Sequence, residues 1–283
     1  MILVTGAGGK TGLAVVSALL ARGATVRAAV RRAEQADTLR ALGAADAVVG
    51  DLRSRDFLQR ACHGVDVVYH ITPNMRPDEV SLAQLLLRAA QANDCRRVVY
   101  HSVLHPQTEE MPHHWQKLRV EEMLFKTGLD YTILQPAAYM QNLLPYRRAV
   151  IEEGALRVPY PPETRLGMVD LDDVAAVAAR VLTEDGHAGA IYELAGGDVV
   201  TQREIAHRLG DLLGRPVAVE EIPRSRWEAD AHAADLDAYA VDTLLRMFDY
   251  YARYGFYGNP TVLAMLLGRA PTSLDDFLRR HFG

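Results

Sequence analysis

Gly6, Gly9 and Gly12 stand three residues apart in the segment Thr5-Gly6-Ala7-Gly8-Gly9-Lys10-Thr11-Gly12. Positions without side chains at this spacing let backbone amides close around a bulky anion. The first permits a tight turn, the second lets the backbone approach a pyrophosphate, and the third lets a helix pack on the preceding strand. The apolar run Ile2-Leu3-Val4 leads into the segment, and a helical stretch over 13–21 follows it. A helix start offers free N–H groups and a dipole worth about 0.3–1 kcal/mol to an anion. Glycines also punctuate turns that hold nothing. A strand before and a helix after favour the dinucleotide reading over the empty turn. Gly6, Gly8, Gly9, Lys10, Thr11 and Gly12 are therefore the expected phosphate-side residues. Lys10 does not follow the four-residue gap and final glycine of a Walker loop, which excludes that alternative.

The residue after the second strand separates the two nicotinamide dinucleotides. NAD-binding chains usually carry Asp or Glu there, bonded to the ribose 2′-hydroxyl. Here Val30 is followed by Arg31-Arg32. Arg31 can pair with a 2′-phosphate through a charge-assisted fork, with Lys10 assisting. The plainer alternative leaves both arginines solvated at a strand end. Charge favours NADP(H) as the cofactor, with NAD(H) also admissible.

These groups need a scaffold that brings strand ends together. Periodicity predicts strands at 2–5, 25–30, 47–49, 66–71, 97–103 and 131–134. Helices fall between them at 13–21, 34–42, from the Ser54 cap through Cys62, near 80–93, and at 114–126. Strands that are apolar on both sides and alternate with helices require a parallel sheet covered on both faces. The expected class is α/β, a doubly wound (Rossmann) sheet. After Pro136 the rhythm loosens, with helices expected at 170–182 and 205–213 and strands at 190–194 and 217–222. From Arg224 onward the pattern is helical. The expected division is 1–153 as a dinucleotide-binding domain and 154–283 as a smaller, mainly helical substrate lobe. Segments near 165–196 are expected to return to the first sheet.

Bulk properties exclude several classes. The 283 residues are 49% hydrophobic and 24% charged, an ordinary globular balance. A net charge of −5 and a pI near 6.1 argue against a nucleic-acid partner bound by a basic face. Cys62 and Cys95 are too few for a disulfide framework, and both fall in apolar stretches that read as helical. No apolar run reaches the ~20 residues of a membrane span. With a strand expected from Ile2, no room is left for a signal peptide, so the expected compartment is the cytoplasm. The expected assembly is a monomer or a homodimer.

The glycine turn, Arg31, Gly50-Asp51-Leu52 and the strand RVVYHSV give the chain the look of an atypical short-chain dehydrogenase/reductase. More narrowly, it resembles the NmrA-like group, which includes bacterial NAD(P)H:quinone oxidoreductases. The stretches GLDYTILQP (128–136) and YELAG (192–196) narrow the likeness, which runs nearly end to end. The resemblance implies that Asp51 and Leu52 flank the adenine. It implies that Ile71, Thr72 and Pro73 line the nicotinamide ribose. It further implies that Pro136, Ala137, Ala138 and Tyr139 border the nicotinamide. All are loops at the carboxyl ends of strands, where open α/β sheets bind ligands. Asp51 as a mere turn residue and Pro136 as a mere strand end are the plainer alternatives.

Better-known members of that superfamily use a Tyr-x-x-x-Lys pair and a serine for proton transfer. Here Ser102 ends the fifth strand, while the helix reads His113-His114-Trp115-Gln116-Lys117, so His113 stands at the tyrosine position. Three roles compete for Lys117: binding the nicotinamide ribose, giving a proton directly, or lying on a solvated helix face beside Glu121 at i+4. His113 is either an acid acting near neutral pH or simply a helix-start residue after Pro112. The spacing of His101, His105, His113 and His114 matches no metal motif, so no metal is expected. The block 139–146 (YMQNLLPY), with Tyr139 at its head, is the favoured contact for a small aromatic or quinone-like substrate. The aromatic stretch around Tyr250 is either a pocket wall or a packing seam. By the resemblance, the leading expectation is an NAD(P)H-dependent oxidoreductase reducing a quinone or another small conjugated carbonyl. The alternatives are a redox sensor that binds NADP(H) and signals to a partner protein, and a tailoring enzyme of aromatic natural-product biosynthesis.

Overall fold

The computed structural model describes residues 1–73 and 75–283 and divides into two compact units. One comprises Met1–Gln107, His113–Gln135 and Asp172–Tyr192. The other comprises Thr108–Pro112, Pro136–Leu171 and Glu193–Gly283.

In the first unit the chain alternates as the apolar runs dictate. The order is β1 (Ile2–Val4), α1 (Lys10–Ala21), β2 (Val26–Val30), α2 (Ala33–Leu42), β3 (Asp46–Val49) and α3 (Arg55–Cys62). It continues with β4 (Val67–His70), α4 (Glu79–Ala92), β5 (Arg97–His101), α5 (Pro112–Phe125) and β6 (Asp130–Pro136). Local chemistry sets several boundaries. Ser54 caps α3 by accepting the Phe57 amide, and Pro112 opens α5, where a missing N–H costs nothing. Gly43, in the left-handed region, closes α2.

Strands β1 to β6 pair in parallel, in the spatial order 6-5-4-1-2-3. The order reverses at β1, which lies between β2 and β4. That reversal leaves a crevice beyond the carboxyl ends of β1 and β4. Leu58, Leu86, Val98, Tyr100 and Ile133 are among the fully buried residues of the core beneath.

Beyond β6 come β7 (Ala138–Tyr139), a 3-10 helix (Met140–Tyr146), α6 (Arg147–Glu153), β8 (Ala155–Val158) and β9 (Arg165–Val169). Then α7 (Leu171–Thr183) and β10 (Ala190–Leu194) follow, with β10 neighbouring β6 at the edge of the seven-stranded sheet. The rest is β11 (Val199–Thr201), α8 (Gln202–Leu213), β12 (Ala218–Glu221), α9 (Arg224–Ala233), α10 (Ala238–Tyr254), α11 (Thr261–Leu267) and α12 (Leu274–Phe282).

Two expectations need correction. The second unit carries small sheets, β11-β9-β7 and β12-β8, built in part from strands in 138–169 that no alternation announced. Pro159, Pro161 and Pro162 break that stretch into pieces too short for a period to show. Cys95 is not helical; it lies buried in the turn between α4 and β5. Among the described residues, no helix is long and apolar enough to cross a membrane.

Candidate active site

Gly6 leaves β1 with φ 61°, a left-handed conformation suited to glycine. Its carbonyl accepts the Gly9 amide at 3.1 Å, closing the turn. Gly12, buried on the inner face of α1, presses on that turn. A Cβ there would meet the Gly6 oxygen at 2.3 Å and the Ala7 Cα at 2.6 Å. The first α1 hydrogen bond runs from Leu13 to the Gly9 carbonyl, so the amides of Lys10, Thr11 and Gly12 precede the helical ladder. Gly9 occupies the N-cap, so α1 starts without a side-chain cap. Burial pulls the Lys10 ammonium below its ordinary range. The turn fits a diphosphate: Gly6 supplies its left-handed corner, and Gly12 lets the start of α1 pack directly against it.

Thr5 ties this turn to the end of β4. Its hydroxyl accepts the Ile71 amide at 2.9 Å and reaches the Ile71 carbonyl at 3.1 Å. Gln35 ties it to the end of β2, donating to the Gly8 carbonyl at 3.3 Å and accepting the Arg32 amide at 3.2 Å. Arg31 is exposed beside that bridge. The Gly50 amide bonds the Val30 carbonyl at 2.9 Å, which brings Asp51 close to the same strand end. Asp51 is exposed and accepts the Arg53 amide at 2.8 Å, while Leu52 is half-buried against the core.

Lys117 is not on a solvated face. It is 7% exposed, and its ammonium pairs at 2.7 Å with Glu79, which is 1% exposed. The same Glu79 oxygen accepts the Thr72 hydroxyl at 2.5 Å and the Tyr100 hydroxyl at 2.7 Å. Lys117 also donates to the His101 carbonyl at 3.4 Å. Burial, with Glu79 beside it, pushes the Tyr100 phenol well above its usual range. Pro73 follows Thr72, half-buried.

Glu121, the expected i+4 neighbour of Lys117, is committed elsewhere. It accepts the Ser102 hydroxyl, and its two oxygens accept Gln135 Nε2 at 2.9 and 3.0 Å. Burial raises its carboxyl above the ordinary 4.5 despite those donors. His113, Lys117 and Glu121 thus form a buried polar stripe at i, i+4 and i+8 along α5.

The histidines around this stripe are held neutral. Burial lowers His70 and His101 to about 3 and His114 to about 4, with the Lys117 charge adding to the effect. His113 goes well below its ordinary value for the same reason, first from burial, then from His114 and Lys117. The expectation that His113 works as an acid near neutral pH is corrected accordingly: it is a neutral imidazole packed edge-on against His114 at 4.4 Å. Depressed histidines contribute stability above pH 6.5 that drains as pH falls toward about 3. Urea unfolding measured from pH 7 to pH 4 should show stability falling throughout, by up to about 1.4 kcal/mol per pH unit for each proton gained on unfolding. His70→Gln should make that slope shallower; an unchanged slope would contradict the assignment.

The structure thus gathers Gly6, Gly8, Gly9, Lys10, Thr11, Gly12 and Ile71 at one strand end, and Thr72 with Lys117 at its neighbour. Ser102 joins that region through Glu121. Pro136, Ala138 and Tyr139 belong to the second unit. Pro136 closes β6, while Ala138 and Tyr139 form β7 and pair with Met168 and Val169 of β9. Phe248 and Tyr251 of the aromatic stretch are buried on α10, and Tyr251 stacks on Phe256 at 4.9 Å. Among the described residues, no group of three His, Cys, Asp or Glu side chains is placed to hold a metal.

Glu79, Tyr100 and Gln135 escaped the sequence reading. Glu79 follows Asp78 at the start of α4, where acidic residues ordinarily serve the helix dipole. The one available signal was polar residues at the ends of strands otherwise apolar: His70 on β4, and Tyr100 and His101 on β5.

A NAD(P)H azoreductase from Xenophilus azovorans is 34% identical over 288 residues, covering 99% of this chain and 98% of the relative. Quinone oxidoreductase 2 from Escherichia coli strain K12 is 27% identical over 286 residues, covering 100% and 99%. The crystal structure of the Escherichia coli NADPH-dependent quinone oxidoreductase complexed with NADPH has a TM-score of 0.88 at 26% identity, over 100% of both chains. The NmrA-like family model matches residues 1–278. This chain belongs to the NmrA-like family.

Proposed function

We propose that this chain is an NAD(P)H-dependent oxidoreductase that reduces a quinone or another small conjugated compound. The observation that carries the reading is the glycine turn at the point where strand order reverses. There Gly12 leaves room for nothing but backbone, and the chain passes straight from the turn into the start of α1, whose dipole and leading amides suit a diphosphate. The azoreductase and quinone oxidoreductase relatives support the chemistry.

In this reading Gly6 to Gly12 hold the pyrophosphate, and Arg31 with Lys10 meets the adenosine 2′-phosphate. Asp51 and Leu52 flank the adenine. Ile71, Thr72, Pro73 and Lys117 hold the nicotinamide ribose, while Pro136, Ala138 and Tyr139 border the ring. The bound nucleotide supplies a hydride. The proton that completes quinone reduction comes from solvent, since His113 is neutral and the Tyr100 proton is directed at Glu79.

Purified protein given NADPH and a panel of quinones should lose the nicotinamide absorbance band in a quinone-dependent manner. Silence across the panel, with NADPH still bound, would move the assignment to a sensor that signals through a partner. Arg31→Asp should shift nucleotide preference. It places a carboxylate where a 2′-hydroxyl is recognised and a 2′-phosphate repelled, so the NADPH-to-NADH ratio of kcat/KM should fall at least about tenfold. An unchanged ratio would remove Arg31 from the site.

A further inference from the structure

We infer that Glu79 is a positioning residue, whose buried carboxylate joins Lys117 and Thr72 into one preformed cradle for a vicinal diol, the nicotinamide ribose. The inference rests on the reading above. Three donors converge on a single Glu79 oxygen: the Thr72 hydroxyl from the loop after β4, the Tyr100 hydroxyl from β5, and the Lys117 ammonium from α5. Glu79 itself comes from the first turn of α4. One carboxylate oxygen therefore ties four segments together.

Two features point past a merely structural role. A buried ion pair is weak evidence for stability, because an apolar pair of the same volume serves a core at least as well. Both expected ribose-side residues, Thr72 and Lys117, also meet at this one acceptor, which leaves the Thr72 oxygen to accept from a ligand hydroxyl. Lysine ends a flexible stem and would ordinarily lose its rotamer freedom when ligand binds. Held by Glu79 and the His101 carbonyl, it is ordered beforehand, with two of its three N–H donors engaged. Among the described residues no other acceptor takes the third, which suits it to a ligand hydroxyl. Pairing also cancels the ammonium charge, so the cradle suits a neutral diol and not a phosphate.

The test separates the two halves of the nucleotide. NADPH and adenosine 2′,5′-bisphosphate, which lacks the nicotinamide ribose, are titrated calorimetrically into wild type, Glu79→Gln and Thr72→Val. Glu79→Gln should weaken NADPH about tenfold and leave the bisphosphate within about twofold, since the phosphate turn is untouched. Thr72→Val keeps the ion pair and should move NADPH in the same direction by a smaller factor. It decides the matter if the glutamine variant does not fold. Glu79→Asp should recover part of the loss by restoring charge. NADPH binding equal to wild type in both variants, or equal losses for NADPH and the bisphosphate, would overturn the inference. A wild type that binds NADPH yet turns over no quinone would sink the reductase reading and leave this binding test intact.

Discussion

Gly12→Ala should abolish nucleotide binding, with a loss of at least about 100-fold in NADPH affinity, in a chain that still folds. One methyl group suffices because nothing it meets can turn aside. Its nearest neighbours would be the Gly6 oxygen at 2.3 Å, the Ala7 Cα at 2.6 Å and the Ala7 carbonyl carbon at 2.9 Å. All three are backbone, and the turn carrying them is fixed by the left-handed Gly6 and the Gly9-to-Gly6 hydrogen bond. Either α1 moves off the sheet or the turn moves outward. In both cases the turn and the start of α1 lose the relative placement that a diphosphate site needs. Overpacking of this kind costs about 1–3 kcal/mol of stability, which a well-packed first unit can tolerate. Ser17→Ala, an exposed change on the same helix, supplies the control and should bind as wild type. Calorimetry with NADPH and a thermal melt on both variants check the result. Near-normal affinity in Gly12→Ala would remove the phosphate turn from the binding site.

How much of this was legible depends on the range of the interaction. The glycine turn is local: strand, three glycines and helix occupy one short stretch, so spacing and chemistry are read together. The alternation that builds the sheet is regular enough to survive errors of a residue or two at each boundary, as at 80–93 against Glu79–Ala92. That small error hid the site's most connected residue. Glu79 meets Lys117 across 38 positions and Tyr100 across 21, and no periodicity encodes contacts between different elements. Spacing even misdirects here. Glu121 stands at the helical distance for pairing with Lys117, but Ser102 and Gln135 claim it, because β5 and β6 bring polar ends against that face of α5. The resemblance places His113 at the superfamily's tyrosine position, but its protonation is set by burial, which no single sequence position reports.

Lys117→Met should destabilise the protein by about 3–5 kcal/mol, because the uncompensated carboxylate of Glu79 is left in the core. Methionine fills much the same volume as the lysine stem, so packing loss is a minor part of that figure. The charge left behind is the major part. Glu79→Gln combined with Lys117→Met removes both charges and keeps an amide oxygen able to accept from Thr72 and Tyr100. Most of the lost stability should therefore return in the double variant, to within about 1 kcal/mol of wild type, as expected when both members of a buried pair are neutralised. Activity should not return with it. If Lys117 holds the ribose, quinone reduction stays depressed in single and double variants alike, by about 100-fold or more for a misplaced cofactor. Urea unfolding and steady-state turnover on the three proteins separate the two roles. Recovery of both together would make Lys117 a structural residue, whereas recovery of stability alone leaves a lysine whose buried charge answers to the ligand and not to the fold.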